Sequence, residues 1–246
     1  AFTRQGLLGI TAAPMRAFIR TRPGLDSPNA LIGWIPFLIG PNFKLARQSG
    51  VTAFTHILRS ESTGSIHIKS PETSTPPAIN FNFFSAQLDR EVTLEAMRFL
   101  RRLMAAPALE GIITAEIAPG AELESDEELL HWIRQNAETT YHPIGTCKMG
   151  SDPMAVVDEQ LRVHGVEGLR VADASIMPTL TSGNTNAPSV MIGEKASRMI
   201  LEANTAQTSA PKSSSPSGYD LNAKCYNPQD SVTCHCEGDH MLQLTK

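Results

Sequence analysis

Runs of apolar residues at strand-like spacing occupy the first third of the chain. Ala30 to Leu38 (ALIGWIPFL) is apolar and β-prone, and Pro36 marks a strand end or a sheet edge. Val51 to Leu58 alternates loosely. Ser65 to Ile68 alternates strictly, with Ile66 and Ile68 on one face and His67 on the other, and Ala78 to Phe84 (AINFNFF) alternates again. Turn-forming stretches, Ser60 to Gly64 and Pro71 to Pro77, separate these runs. Short strands in close succession with turns between them predict a mostly antiparallel sheet.

The period then changes. Val92, Ala96, Phe99, Leu100 and Leu103 recur at helical spacing and predict an amphipathic helix that Pro107 ends. Asp89 and Glu91 lie near its start, where the helix dipole favours negative charge. Glu95 is within reach of Arg98 one turn on; Arg98, Arg101 and Arg102 read as a solvated face. A second helix spans Ser125 to Asn136. It opens on Ser125 with Glu128 three residues later, the pattern of a capping box, which accounts for the acidic cluster there.

Beyond Tyr141 the residues Leu161 to Asp173 read as a strand, a tight turn and a second strand ending in Asp173-Ala174-Ser175. Pro188 is expected to open a third helix as its first residue. Val190, Met191, Ala196 and Ile200 mark its expected buried side, and it is expected to run to about Ala203. From Asn204 onward a Ser/Pro/Ala-rich linker precedes a tail without periodicity, expected to be disordered.

Composition narrows the function classes. With 246 residues, 41% hydrophobic and 19% charged, the chain reads as a soluble α+β protein. A net charge of -4 argues against a nucleic-acid binder. No apolar run approaches the roughly 20 residues that span a bilayer. The chain starts without Met and shows no secretory leader. The natural N-terminus is therefore expected upstream; with the targeting end absent the location stays open, the cytoplasm being slightly favoured. Of four cysteines, Cys147 lies apart from Cys225, Cys234 and Cys236, so no disulfide framework is expected. The Cys-x-Cys spacing of the tail is not the paired spacing of structural zinc, and no metal site is assigned. Nothing in the sequence supplies a partner that would activate Cys147 as a nucleophile.

Candidate chemistry sits on two turns, Tyr141-His-Pro-Ile-Gly-Thr-Cys-Lys-Met-Gly150 and Ser182-Gly-Asn-Thr-Asn-Ala-Pro188. Pro143 keeps His142 out of helical backbone. A neutral imidazole there is either a proton acceptor or a turn histidine bonded to nearby backbone. Asn184 and Asn186 precede a helix, so one of them suits its cap, and the backbone N–H groups of that helix start favour negative charge. Asp173, at a strand's C-terminal edge, either accepts hydrogen bonds from ligand hydroxyls or is an ordinary turn aspartate.

The first of these turns, taken with VVDEQLRVHGVEGLRVADASIMPTLTSGNTNAPSVMIGEKAS, resembles the C-terminal signature of the glucose–methanol–choline (GMC) oxidoreductases, in their choline-dehydrogenase-like branch. The resemblance is strong over about Thr139 to Ala203 and weaker over the sheet and first helix. It implies an FAD-dependent enzyme that acts on the CH–OH group of a small-molecule alcohol, with hydride passing to flavin N5. His142 matches the general base, and Asn184 matches a position that holds His or Asn and bonds the developing alkoxide. Asp173 and Ala174 match a turn that contacts the flavin's ribityl–phosphate region. Thr185, Asn186 and Ala187 match the turn facing the pyrimidine end of the ring.

The family's G-x-G-x-x-G turn for the ADP part of FAD occurs nowhere in the sequence. The expected division is thus a partial substrate-binding domain at 1–140, an antiparallel sheet with flanking helices. At 141–203 comes the C-terminal strand-and-helix part of an incomplete FAD-binding domain, followed by linker and tail at 204–246. The missing N-terminal half is expected to be needed for the full FAD site, and the chain alone to bind FAD weakly or not at all. The competing expectation is a non-catalytic remnant or binding module that keeps the substrate-domain fold.

Overall fold

The apolar runs become strands that stop where the backbone chemistry says they must. The computed structural model describes residues 13–40, 44–209, 232–235 and 238–245. In chain order its elements are β1 (Met15–Ile19), β2 (Ala30–Ile35), β3 (Gly50–Ile57), β4 (Thr63–His67), β5 (Ala78–Asn80), α1 (Gln87–Met104), β6 (Ala115–Ala118), α2 (Asp126–Asn136), β7 (Glu138–Thr139), α3 (Asn186–Ser209), β8 (Val232–His235) and β9 (Gly238–Thr245). Strand β2 ends immediately before Pro36, which has no N–H for a ladder. The strand expected over Ala78 to Phe84 stops at Asn80, because Asn82 and Phe84 take left-handed backbone (φ 52 and 60). All ladders between these strands are antiparallel.

The chain divides into two compact units. The first comprises Ala1–Ser62, Phe83–Tyr141 and Glu237–Lys246; the second comprises Thr63–Asn82 and His142–Cys236. The hairpin at 63–82 was expected in the N-terminal domain but belongs with the second unit.

In the first unit the sheet runs β1-β2-β3-β9-β6, with β7 also paired to β9. Strands β2 and β3 carry its buried centre, where Ala30, Leu31, Ile32 and Ala53 are inaccessible to solvent. The buried threonines of β3 are satisfied locally. Thr55 donates to the Leu31 carbonyl (2.8 Å), and Thr52 donates to the Phe37 carbonyl (2.9 Å). Helix α1 buries Val92, Ala96, Met97, Leu100 and Met104, a wider stripe than the expected one and shifted from it; Phe99 and Leu103 are only half-buried. It shares a core with Ile32, Ala53 and Phe84, and with Leu129 and Ile133 of α2. Each such large side chain contributes about 1.5–3 kcal/mol when fully buried. The capping box at α2 is formed: the Ser125 hydroxyl accepts from the Glu128 N–H, and the Glu128 carboxylate accepts from the Ser125 N–H.

Two expectations about α1 are corrected. Glu95 accepts a hydrogen bond from the Thr21 hydroxyl (2.5 Å), and Arg98 pairs with Asp126. Arg101 is no solvated arginine. Its guanidinium bonds Glu116 through Nε and Nη2, the Leu123 carbonyl through Nη1 (2.7 Å) and the Gly120 carbonyl through Nη2 (2.8 Å).

The second unit is mostly turns around a small core of Ile144, Val157, Leu161, Ile176, Met177, Leu180, Ile192 and Ala196. Backbone hydrogen bonds stitch these turns together: the Cys147 N–H donates to the Ser175 carbonyl (3.0 Å) and the Met149 N–H to the Ile176 carbonyl (2.8 Å). The strand–turn–strand expected over 161–173 is reduced to isolated bridges, among them Arg162 with Arg170. Gly165 and Gly168, both at φ 75, turn the chain too tightly for a ladder.

Helix α3 differs from its expected form in three ways. It begins at Asn186, so Pro188 is its third residue. It runs on to Ser209, because no residue that breaks a helix intervenes before Pro211. Its buried side is Ile192 and Ala196 with Met199 against them, whereas Val190, Met191 and Ile200 are exposed. The sequence carries apolar residues on two faces of this helix, and periodicity alone cannot say which one the unit's own core covers.

The disordered tail expected at 204–246 is likewise corrected where the structure describes it. Strand β8 pairs with β4, and β9 lies between β3 and β6. Leu242-Gln243-Leu244 alternates over only three residues, too briefly to read as a strand, yet the β3 edge supplies the N–H and C=O partners that order it. The remainder of the tail, including Cys225 and Cys236, lies outside the described residues.

Candidate active site

His142 and Asn184, 42 positions apart, meet in the second unit. Tyr141, in left-handed backbone (φ 62), delivers the chain to His142, and Pro143 holds it extended beyond. The buried Ile144 anchors that turn. The imidazole is held at both nitrogens: Nε2 lies 2.7 Å from the Asn184 amide nitrogen, and Nδ1 lies 2.9 Å from the Thr185 hydroxyl. Thr185 is buried and immediately precedes α3, while Asn184 is exposed.

The start of α3 adds a second property. Its first backbone bond within the helix runs from the Ser189 N–H to the Thr185 carbonyl (2.9 Å). The N–H groups of Asn186 and Ala187 precede that bond, and both residues are exposed. An open helix start of this kind favours negative charge.

Asp173 and Ala174 sit on a separate short 3-10 turn. The Asp173 carboxylate accepts from the Ser175 N–H (2.8 Å), so it does cap a turn, and Ala174 packs against the unit's core. Asp173 also borders a cavity of about 450 Å³. One wall of this cavity carries Thr146, Asp173 and Ser175 beside Pro143; the other, from the β4–β5 hairpin, sets Ile66, Ile79 and Phe81 beside the polar Ser65 and Asn80. Gly64 permits that hairpin to close, since a Cβ there would lie 2.1 Å from the Asn80 carbonyl oxygen.

Of the residues singled out in the sequence, His142, Asn184 and Thr185 are in direct contact. Asn186 and Ala187 form the adjoining helix turn, and Asp173 shares a cavity wall with Pro143. The hydroxyl contact of Thr185 with His142 and the hairpin side of the cavity carried no signal in the sequence, because both depend on segments far apart in the chain. Cys147 is half-buried and outside any disulfide. Among the described residues no group of three or more His, Cys, Asp or Glu side chains is placed to hold a metal ion, and no helix is long and apolar enough to cross a membrane.

The chain has relatives among known proteins. The family model of the GMC oxidoreductases matches residues 60–193. The oxygen-dependent choline dehydrogenase of Escherichia coli O45:K1 (strain S88 / ExPEC) is 46% identical over 184 residues, which is 74% of this chain and 33% of that protein. The chain thus spans about a third of the length of the curated relatives it matches. Among solved structures, pyridoxine 4-oxidase from Mesorbium loti superposes with a TM-score of 0.68 at 30% identity, over 76% of this chain and 37% of that one. A formate oxidase of Aspergillus oryzae RIB40, described for its FAD modification, superposes with a TM-score of 0.68 at 26% identity, over 74% and 33%. With more than half of its length matched by the family model, the chain belongs to the GMC oxidoreductase family and resembles its choline dehydrogenases.

Proposed function

We propose that the chain is the C-terminal part of an FAD-dependent oxidoreductase that acts on the CH–OH group of a small alcohol, with His142 as general base. The observation that carries this reading is the convergence of the Nε2 of His142 and the amide of Asn184, 2.7 Å apart, on an imidazole fixed at its other nitrogen. One group can take a hydroxyl proton and the other can donate to the oxygen left behind.

The residues present fit the cofactor. The open start of α3 at Asn186 and Ala187 suits a ring system that gains negative charge, with Thr185 supplying the turn before it. Asp173 offers a carboxylate to the hydroxyls of a ribityl chain, with Ala174 beside it. When bound, FAD would supply the acceptor, at flavin N5, for the hydride lost from the carbinol carbon.

The remaining chemistry falls to this chain's own side chains. In the resting site the Asn184 amide lies against Nε2, where the substrate oxygen has to be received. Asn184 is exposed, and the scheme requires its amide to move aside. The incoming hydroxyl then gives its proton to Nε2, and the displaced amide N–H donates to the oxygen as negative charge develops there. The exposed side chains Val190, Ile200 and Leu201 on α3 support the reading that a longer protein covers this helix. The absent G-x-G-x-x-G turn supports placing the ADP cradle in that remainder.

The test uses the longer enzyme that carries this chain, with flavin content measured by absorbance in every variant. H142Q should lower kcat/KM by roughly 10²–10⁴-fold, and N184A by roughly 10²–10³-fold, both with flavin retained. An H142Q enzyme that keeps its flavin and oxidises alcohols at the parent rate would remove the base from this scheme.

A further inference from the structure

We propose that Thr185 is a positioning residue: its hydroxyl holds His142 in the Nδ1–H tautomer, so that the lone pair of Nε2 is the one presented at the site. The proposal deepens the reading above and rests on it for its catalytic meaning, but not for its test.

Thr185 occupies the N-cap position of α3, and its carbonyl accepts both the Ser189 N–H (2.9 Å) and the Ser189 hydroxyl (2.7 Å). A threonine there ordinarily turns its side-chain oxygen back to accept from the second or third N–H of the helix. The third residue of α3 is Pro188, which has no N–H. That removes one of the usual claims on the hydroxyl. The structure shows where the hydroxyl goes instead: 2.9 Å from Nδ1 of His142. Because Thr185 is 7% exposed, little water competes for that contact.

The tautomer follows from donor and acceptor roles. A neutral imidazole has one N–H and one lone pair. The group facing Nε2 is the amide nitrogen of Asn184, which only donates. Nε2 is therefore the acceptor, Nδ1 carries the proton, and the Thr185 oxygen receives that proton's hydrogen bond. When Nε2 takes a proton from a substrate hydroxyl, the Nδ1–H bond to Thr185 persists and becomes charge-assisted. The ring keeps its orientation through the step. A neutral hydroxyl orients the imidazole without adding a negative charge beside it, unlike the carboxylate partner of a hydrolase triad.

The test is a long-range ¹H–¹⁵N correlation spectrum of the 246-residue chain with ¹⁵N-labelled histidine, without substrate, at a pH where His142 is neutral. The His142 signals are identified by their loss in H142Q. The wild type should show a pyrrole-like Nδ1 and a pyridine-like Nε2, and T185S should match it. In T185V both resonances should move toward values averaged over the two tautomers. The other histidine signals should stay in place, among them that of His164, whose ring contacts the Gly150 carbonyl in the same unit. An unprotonated Nδ1 in the wild type would overturn the proposal, as would a T185V spectrum identical to it. Should T185V fail to fold, a T185S spectrum with the parent tautomer supports the hydroxyl's role and one with the opposite tautomer refutes it. Because no turnover is measured, a confirmed tautomer beside an active H142Q enzyme would sink the base and leave the positioning role standing. The reverse pair of results would do the opposite.

Discussion

Arg101→Met should destabilise the first unit by about 3 kcal/mol, a large loss for a residue whose sequence context reads as solvent-facing. The Arg101 and Glu116 side chains are 20% and 11% exposed. The guanidinium holds Glu116 (2.7 Å at the shortest contact) and the carbonyls of Gly120 and Leu123, so that one side chain on α1 fastens β6 and the loop leading to α2. Methionine keeps the apolar stem and removes every donor. Glu116 is then left charged with little water near it, and two carbonyls lose a partner. Breaking a fully buried pair in this way costs about 3–5 kcal/mol. The partial exposure of the arginine admits some water, which places the loss at the lower end.

The assay is urea unfolding followed by tryptophan fluorescence. The two tryptophans of the chain, Trp34 and Trp132, both pack against the core of this unit, so the signal reports it selectively. For a slope of about 2 kcal/mol/M the midpoint should fall by about 1.5 M. Replacing both partners, R101M with E116L, should be less damaging than R101M alone, because no buried charge is then left unpaired. A loss for R101M within about 1 kcal/mol, as for an exposed pair, would refute the argument. So would a double variant as unstable as the sum of the two single changes.

Two further outcomes concern the second unit. Gly64→Ala places a Cβ 2.1 Å from the Asn80 carbonyl oxygen and 2.8 Å from that of Phe81, backbone atoms that cannot rotate away; overpacking of this kind costs about 1–3 kcal/mol. Hydrogen exchange should speed up in β4 and β5 while the tryptophan transition of the first unit stays put, and unchanged protection in the hairpin would contradict the clash. Burial pushes the Asp158 carboxyl up, but hydrogen bonds from the backbone N–H and guanidinium of Arg162 and from the Gln160 N–H outweigh it and hold it below its ordinary value. The bonded Lys148 ammonium, with the Met154 N–H, does the same for Asp152. A lowered carboxyl stabilises the fold above its unfolded pKa of about 3.9 and loses that contribution as pH falls through the folded value. Thermal unfolding followed by circular dichroism should therefore drop below about pH 4, with a shallower drop in D158N. An equal drop in D158N would clear Asp158 of any part in it.

What could be read along the chain was what short-range chemistry governs. The capping box at Ser125 and Glu128 needs three residues and forms as read. Pro36 ends β2, and a helix does start next to Asn184, although at Asn186 and not at Pro188. The family was legible because its signature is a long ordered run of residues, and the alternation of apolar positions showed antiparallel pairing.

What depended on partners distant in the chain was not legible. Arg101 lies opposite the stripe of Val92, Ala96, Phe99 and Leu103 that the sequence suggests, and only the arrival of Glu116 and the 120–123 loop makes it a tether. The apolar residues of α3 fall on two faces, and only packing selects Ile192 and Ala196 over Val190 and Ile200. Strand β9 has too little alternation to declare itself and is ordered by the edge it completes. The same division runs through the site. The sequence by itself determined that a histidine and an asparagine would sit on turns next to a helix start. Only the tertiary structure decided that they touch and that Thr185 closes on the far nitrogen of the ring. The reason is physical: a turn is set by the backbone preferences of a few neighbouring residues, whereas a hydrogen bond across 42 positions exists only once a core of Ile144, Ile176 and Ile192 has brought the two turns together.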